Sequence, residues 1–378
     1  MKIATNVSRD AFGGITTSNL FLFDWLKKRN DKVVGIELIS SRHFKGPAIF
    51  RNYPPEFFSH HIINGLDIIT SMSWEKRGDA RKKWGVLIET TKKILKQEKP
   101  DVVFINGTYN LPWILAQAAK DLQIPIVLRY AGVLKREAEF KGFFIRKRLL
   151  SYEKWIASSA ERIIFPSKVC QKVVEKEILK RPIKNCVVIT NPMGKAKKSM
   201  SDKILVKNQK PVIAAIGRWT PIKNFSTFIN LHKELLKNWD HRALLVTSYW
   251  DKNFPFPNTL ERIDPMSHDR LLNFYKKIDL LVVTSSFETF CNVASEALIN
   301  GVSVLVSKNV GFSEVLIKAG LDRMVIDSFD DLKKVSKLAR SLVFQKPKVV
   351  EIKKVAALLD IEINNRLVYN EFKKVVLD

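Results

Sequence analysis

Short apolar runs alternate along the whole chain with longer stretches in which apolar positions recur at spacings of three and four. That is the pattern of parallel strands covered by helices. In the first half the runs predict strands at 2–7, 32–40, 67–70, 101–106, 124–130, 162–167 and 187–190, with helices filling most of the gaps. DVVFIN, IPIVLRY and RIIFPS show no polar alternation, as expected of strands buried on both faces.

Residues 191–210 interrupt the pattern with Pro, Gly, Lys and polar side chains and read as a linker. A second αβ series then starts at PVIAAIG (211–217) and continues through ALLVTSY, DLLVVTSS, VSVLVS and RMVID. From about Asp330 the tail is helical, KKVSKLARSL and NNRLVYNEFKKVV carrying apolar residues at helical spacing. At 378 residues the chain is long for one core, since single cores stop growing at roughly 250 to 300 residues. The expectation is an α/β protein of two Rossmann-like, doubly wound domains, 1–197 and 198–350, with a helical tail, 351–378, that packs back on the first.

Composition adds function-level limits. With 46% hydrophobic and 27% charged residues the chain is globular. Three cysteines without CxxC spacing give neither a disulfide framework nor a zinc site, which suits a reducing compartment. The first residues lack the apolar run of roughly 7 to 15 that a signal peptide needs, and no run approaches the roughly 18 of a spanning helix. A cytoplasmic protein, peripheral at most to a membrane, is expected. The formal charge of +26 is uneven: residues 1–200 hold 37 Lys and Arg against 18 Asp and Glu. Such a field favours anionic partners and says nothing about fold. Nucleic acid is not expected among them, because helix-turn-helix, zinc-finger and aromatic RNA-binding signatures are missing from the sequence.

The chemistry is most legible in the second half. Strand PVIAAIG ends in Gly217-Arg218, and Lys223 stands just before the helical pattern FSTFINLHKELL. Ligands of open α/β sheets bind beyond the carboxyl ends of strands, so both cations fall where a ligand would lie. A planar guanidinium, an ammonium and a helix N-terminus together suit a diphosphate; two solvated charges in a Lys-rich chain are the alternative. Further on, DLLVVTSS runs into a short turn with Glu288 and a helix that begins near Asn292, contains Glu296 and ends at Asn300-Gly301. Backbone N–H groups of Phe290 to Val293 would point at an anion there. Either glutamate by itself could simply stabilise the helix through its dipole.

The order G-R-x(4)-K-N, S-x-x-E-x(7)-E-A-L-x-x-G, then V-x-V-L-V-S followed by Gly311 and Glu314, resembles the retaining nucleotide-sugar glycosyltransferases of family four, which adopt the GT-B fold. Gly13-Gly14, SSAERIIFPSKVCQKVV and VITNPMG in the first half are similar in place and order, so the resemblance covers nearly the whole chain. It implies two domains facing across a cleft and transfer of a hexosyl group from a nucleotide-diphospho-sugar to a glycan, lipid-linked or other hydroxyl acceptor, with retention and without a metal or other cofactor. By the same resemblance Arg218, Lys223 and Glu288 are catalytic; Gly13, Gly14, Gly217, Thr289, Phe290, Cys291, Asn292 and Glu296 line the donor site with them. Glu296 would hold the ribose hydroxyls, Glu288 would face the donor sugar, and Gly13-Gly14 would let backbone approach the donor closely.

Two departures stand out. Family members usually follow the first glutamate with Gly-Phe-Gly, where this chain has Thr289-Phe290-Cys291. They often carry a His in the loop after the strand equivalent to IPIVLRY, where this chain has Arg129 and Tyr130, its only substitutes on the acceptor or sugar side. Cys291 is expected to be a packing residue, with no His beside it in sequence. None of the six histidines shows ligand spacing. The basic, aromatic segment 141–155 (KGFFIRKRLLSYEKW) reads either as a helix packing its apolar side on the sheet or as an interfacial helix on an anionic membrane. Competing functions are a non-catalytic polyanion or membrane-surface binder and a nucleotide-sugar epimerase of the same fold. A dehydrogenase is disfavoured because the first turn reads Phe12-Gly13-Gly14-Ile15-Thr16 rather than GxGxxG.

Overall fold

The computed structural model describes residues 1–8, 14–39, 53–65, 77–193, 210–248 and 254–377. They form two compact units: unit 1 is Met1–Pro166, Cys170–Pro192 and Glu362–Asp378, and unit 2 is Ser167–Val169 and Met193–Ile361.

Unit 1 is built on seven parallel strands, β1 Lys2–Val7, β2 Lys32–Ile39, β3 Phe58–Asn64, β4 Val102–Asn106, β5 Ile126–Arg129, β6 Arg162–Phe165 and β7 Cys186–Val188, in the order β3-β2-β1-β4-β5-β6-β7. Its helices are α1 Gly14–Lys27, α2 Arg77–Glu98, α3 Asn110–Asp121, α4 Leu134–Glu137, α5 Phe143–Ser159 and α6 Lys168–Val173, the last starting in unit 2 and running on into a π-helical turn, Val174–Leu179. Unit 2 has six parallel strands, β8 Val212–Ile216, β9 Arg242–Val246, β10 Leu260–Ile263, β11 Leu280–Val283, β12 Ser303–Ser307 and β13 Val325–Ile326, in the order β10-β9-β8-β11-β12-β13. Its helices are α7 Phe225–Leu236, α8 His268–Tyr275, α9 Asn292–Ile299, α10 Ser313–Lys318, α11 Leu332–Phe344 and α12 Val349–Leu358; α13 Ile361–Leu377 lies almost wholly in unit 1.

Both sheets are doubly wound. Chain order reverses between β1 and β4 in one and between β8 and β11 in the other, which opens a crevice at the carboxyl ends of those strands. The central strands β4, β5, β11 and β12 are buried along their whole length, as their continuous apolar runs require. Strands β3 (FSHHIIN) and β10 (LERI) escape the sequence pattern, because an edge strand half open to water needs no apolar run. The strand expected at 67–70 lies outside the described residues, as does most of the linker.

The return of the chain to unit 1 comes later than position 351. Val355 and Leu359 are in the unit 2 core, Met193 N donates to Leu359 O at 2.9 Å, and Arg323 makes a bidentate pair with Glu351. Only α13 joins unit 1: Phe372 packs on Phe104 with ring centroids 5.1 Å apart, Tyr369 OH donates to Asp31, and Arg162 pairs with Glu371 at 2.6 Å. Among the described residues no helix is long and apolar enough to cross a membrane.

Candidate functional site

At the switch point of unit 2, two loops are laced together. After β8 the chain passes Gly217 and Arg218, makes a 3-10 turn at Pro221–Lys223, and enters α7 through Asn224, which adopts a left-handed conformation at φ 49°. After β11 the polar run Thr284-Ser285-Ser286 reaches back to it. Thr284 Oγ1 donates to Lys223 O at 3.0 Å, and Ser286 N donates to Ile222 O at 2.9 Å. Lys223 is thereby aimed at Glu288: its Nζ donates to Glu288 Oε1, and Ser285 Oγ donates to the same oxygen at 2.8 Å. Burial opposes the Lys223 charge, but Glu288 outweighs it and holds the ammonium above its ordinary pKa, with Arg218 close enough to oppose.

Glu288 and its neighbours run beside Asn309–Phe312 like a short strand. Glu288 N donates to Asn309 O at 3.2 Å, Gly311 N to Glu288 O at 3.0 Å and Phe312 N to Phe290 O at 2.8 Å. Gly311 is required by close approach, since a Cβ there would lie 2.2 Å from Thr289 O and 2.5 Å from Ser167 Oγ. Ser167 Oγ donates to Thr289 O at 2.7 Å, fixing the residue after the glutamate.

Cys291 then turns the chain into α9 with φ 89°, a backbone region that favours glycine, and makes no side-chain cap bond to the helix. Here lies the physical sense of the usual glycine at this place. The thiol is free and buried; burial first, then Glu288, pushes its pKa up to about 12, so it packs as a neutral group. Further into α9, Glu296 is buried and accepts a hydrogen bond from Tyr275 OH at 3.0 Å. Burial and Glu296 raise the Tyr275 pKa well above its ordinary value, so the phenol stays a donor.

Unit 2 therefore gathers Lys223, Glu288 and Glu296 around Cys291, with Arg218 within electrostatic reach of Lys223 and with Gly217, Thr289, Phe290 and Asn292 in the adjoining backbone. Arg218 is exposed; Phe290 is buried with its ring against Phe312. Gly217 lies against the Lys223 stem, 3.4 Å from where a Cβ would be. Sequence reasoning missed the positioning residues Tyr275, Thr284 and Ser285. The hydroxyl run TSS after an apolar strand was the signal for two of them; nothing in the sequence flags Tyr275.

In unit 1, Gly13 lies outside the described residues and Gly14 opens α1. The switch point carries a missed feature, a ring of buried amides. Asn6 Nδ2 donates to Asn106 O at 2.9 Å, Asn106 N to Asn6 Oδ1 at 2.8 Å, Asn106 Nδ2 to Asn19 Oδ1 at 2.9 Å, and Asn19 Nδ2 to Asn6 O at 3.3 Å. Arg129 and Tyr130 do not present themselves to a ligand. Arg129 is 2% exposed and donates to Thr190 O and Asn191 Oδ1, and burial pushes its pKa down to about 10. Tyr130 is buried and stacked on Phe165 at 5.2 Å. Both continue a strand buried on its two faces, which turns their side chains inward. Among the described residues no group of three or more His, Cys, Asp and Glu is placed to hold a metal ion.

Two doubly wound parallel α/β units in one chain define the GT-B architecture. The model of Glycosyl transferases group 1 matches residues 196–357, and that of Glycosyltransferase Family 4 matches residues 12–193. The chain is a glycosyltransferase of the GT-B fold. No curated protein matches its sequence. Among solved structures it is similar to sucrose-phosphate synthase from Thermosynechococcus elongatus, with TM-score 0.73 and 15% identity over 99% of this chain and 98% of that one. It is also similar to the E. coli trehalose-6-phosphate structure bound with UDP-2-fluoro glucose, with TM-score 0.70 and 12% identity over 99% of each chain. A glycosyltransferase from Rickettsia africae gives TM-score 0.68 at 13% identity, covering 99% of this chain and 98% of that one.

Proposed function

We propose that the protein is a retaining hexosyltransferase of family four that binds a nucleotide-diphospho-sugar at the switch point of unit 2. The observation that carries this reading is the lacing of the β8 and β11 loops, which sets Arg218, Lys223 and Glu288 in one cluster beside the start of α9. A diphosphate entering there meets an exposed guanidinium, a fixed ammonium and the N-terminus of α9, a helix with no acidic residue in its first turn. Lys223, held charged by Glu288, stabilises the negative charge that grows on the diphosphate as it leaves. Glu288, oriented by Ser285, faces the donor sugar. Glu296, oriented by Tyr275, accepts from ribose hydroxyls. The reading takes no bound metal or other cofactor: two cations and a helix dipole supply the positive charge.

The acceptor is a hydroxyl compound: a glycan, a lipid-linked acceptor or another alcohol. The similar E. coli structure contains UDP-2-fluoro glucose, which motivates a uridine nucleotide as the first donor to try. Thermal stabilisation by UDP, GDP and ADP tests the reading, because a ligand at 100 times its dissociation constant raises stability by about 2.7 kcal/mol. One nucleotide is expected to stabilise the wild type and to lose most of its effect in Glu296→Ala. The anomeric configuration of the transferred sugar, read by NMR, is expected to match the donor. No stabilisation by any nucleotide, or an unchanged Glu296→Ala response, would overturn the assignment.

A further inference from the structure

The segment 140–148 of unit 1 does not do what an amphipathic core helix does. Helix α5 is anchored by Leu149, Tyr152, Ile156 and Ala157, with Leu149 and Tyr152 packing in a cluster with Leu134, Ala138 and Trp113. Its first turn is left outside. Phe140 is 59% exposed, Phe143 72%, Phe144 79% and Ile145 47%. The Phe143 and Phe144 rings touch only edge to face, 5.5 Å apart at 79°. Lys141, Arg146 and Lys147 are interleaved with them, Arg148 turns its buried Nε inward, and residues 140–148 contain no acid.

We infer that this helix start is a docking point for an anionic lipid bilayer, entered end-on. Three lines of argument select that occupant. Consecutive residues on a helix point about 100° apart, so Phe143, Phe144 and Ile145 face three directions. A partner helix or groove covers a stripe at spacings of three and four; a fluid interface surrounds all three at once. The charge is complementary, with Lys141, Arg146 and Lys147 next to the rings in sequence, within a half-chain that has 37 basic against 18 acidic residues. Finally, the helix N-terminus lies open: residues 139–145 are all exposed, Gly142 has no side chain to cap the first turn, and that turn has no acidic residue, so its N–H groups and positive dipole end are left for phosphates.

The patch adjoins the carboxyl edge of the unit 1 sheet. Lys141 Nζ lies 5.9 Å from the Tyr109 ring centroid, and Tyr109 follows β4 by three residues and is itself exposed. Docking would therefore bring that sheet edge to the lipid surface. The inference is independent of the donor assignment, since vesicle binding needs no nucleotide sugar.

Co-sedimentation with vesicles tests it. The full chain is expected to pellet with equal parts phosphatidylcholine and phosphatidylglycerol at low salt and to stay in solution with phosphatidylcholine alone. Phe143→Ser/Phe144→Ser leaves the charge unchanged and touches no buried contact, so its thermal midpoint is expected to match the wild type. Its partition coefficient is expected to fall about tenfold or more, because two rings no longer enter the interface. Lys141→Glu/Lys147→Glu is expected to weaken binding at low salt and to matter less at high salt. Equal binding by the serine variant and the wild type would reduce the effect to charge alone and overturn the proposal. So would failure to pellet with the mixed vesicles, or a serine variant that changes only the oligomeric state in sedimentation velocity, which would make the face a contact between copies.

Discussion

The carboxyl edges of the two sheets share a strand order and are furnished in opposite ways. In unit 2 the β8 and β11 loops carry Lys223, Glu288 and nearby Arg218, and Glu296 follows on α9. In unit 1 the matching strand ends, β1 and β4, are tied by the uncharged ring of Asn6, Asn19 and Asn106. A charged cluster holds electrostatic energy ready for a phosphate; a closed amide ring turns its polar groups on one another and on the backbone. One topology thus yields an edge that can bind charge and an edge that holds backbone in place. Substitutions at the two edges should separate binding from folding.

The largest separation is expected at Lys223. Lys223→Ala should lower donor-dependent turnover by about 10²- to 10³-fold, the scale seen when one preorganised stabilising group is removed, or about 3–4 kcal/mol. Steady-state donor hydrolysis measures it, and a variant within threefold of the wild type would break the comparison from the unit 2 side. Next comes a pH effect confined to unit 2. His232 is buried, with Nδ1 2.9 Å from His241 Nε2 and Nε2 2.9 Å from Thr259 Oγ1, while His241 Nδ1 donates to Trp239 O at 3.0 Å. Burial, and then His241, push the His232 pKa down to about 4. The unfolded imidazole titrates near 6.5, so between those values the unfolded chain binds the extra proton and stability falls as pH falls. The contribution is complete above pH 6.5 and about 3 kcal/mol of it is lost by pH 4. Urea unfolding at both ends of the window should show His232→Gln losing that much less than the wild type.

From the unit 1 side, Asn106→Leu strands polar atoms of Asn6 and Asn19 and should cost about 1–3 kcal/mol of stability. Its nucleotide-induced thermal shift should equal the wild type's; a lost shift would mean that the amide ring serves binding after all. A smaller effect in the other direction is expected at Tyr275→Phe. Removing the phenol frees Glu296 to reorient, which should weaken nucleotide binding about five- to tenfold, roughly 1 kcal/mol, with kcat nearly unchanged. Isothermal titration and a split of KM from kcat would read it, and a fall in kcat alone would count against a ribose role for Glu296.

The doubly wound plan was legible because fully buried strands announce themselves: VVFIN, LLVV and SVLVS are continuous apolar runs. The edge strands β3 and β10 were not, because their environment is half water and their composition says little. The charged cluster could be read from order and spacing, since Lys223 and Glu288 sit in the loops that follow β8 and β11. What orients them could not: Tyr275 reaches Glu296 from another helix, and the Asn ring joins positions 6, 19 and 106. Arg129 and Tyr130 misled for a related reason. A residue that ends a strand is near the edge in sequence, yet its side chain can still turn into the core.

The smallest effect concerns Cys291, where sequence and backbone disagree most visibly. At φ 89° and ψ 77° an L-residue pays a steric penalty of about 1–3 kcal/mol that glycine avoids. Glycine at this place would also remove the buried Sγ and loosen the unfolded chain by about 0.5–1 kcal/mol. The two terms oppose, so Cys291→Gly should shift stability by less than about 1 kcal/mol. Cys291→Val should be clearly worse, at more than about 2 kcal/mol, because a β-branched side chain at positive φ is a genuine steric outlier. Measured together by chemical denaturation, the pair isolates the backbone from the thiol. A destabilised glycine variant would mean that Sγ packing dominates, and a tolerated valine would mean that the left-handed turn into α9 is not needed to hold Glu288 and Glu296 on either side of the helix start.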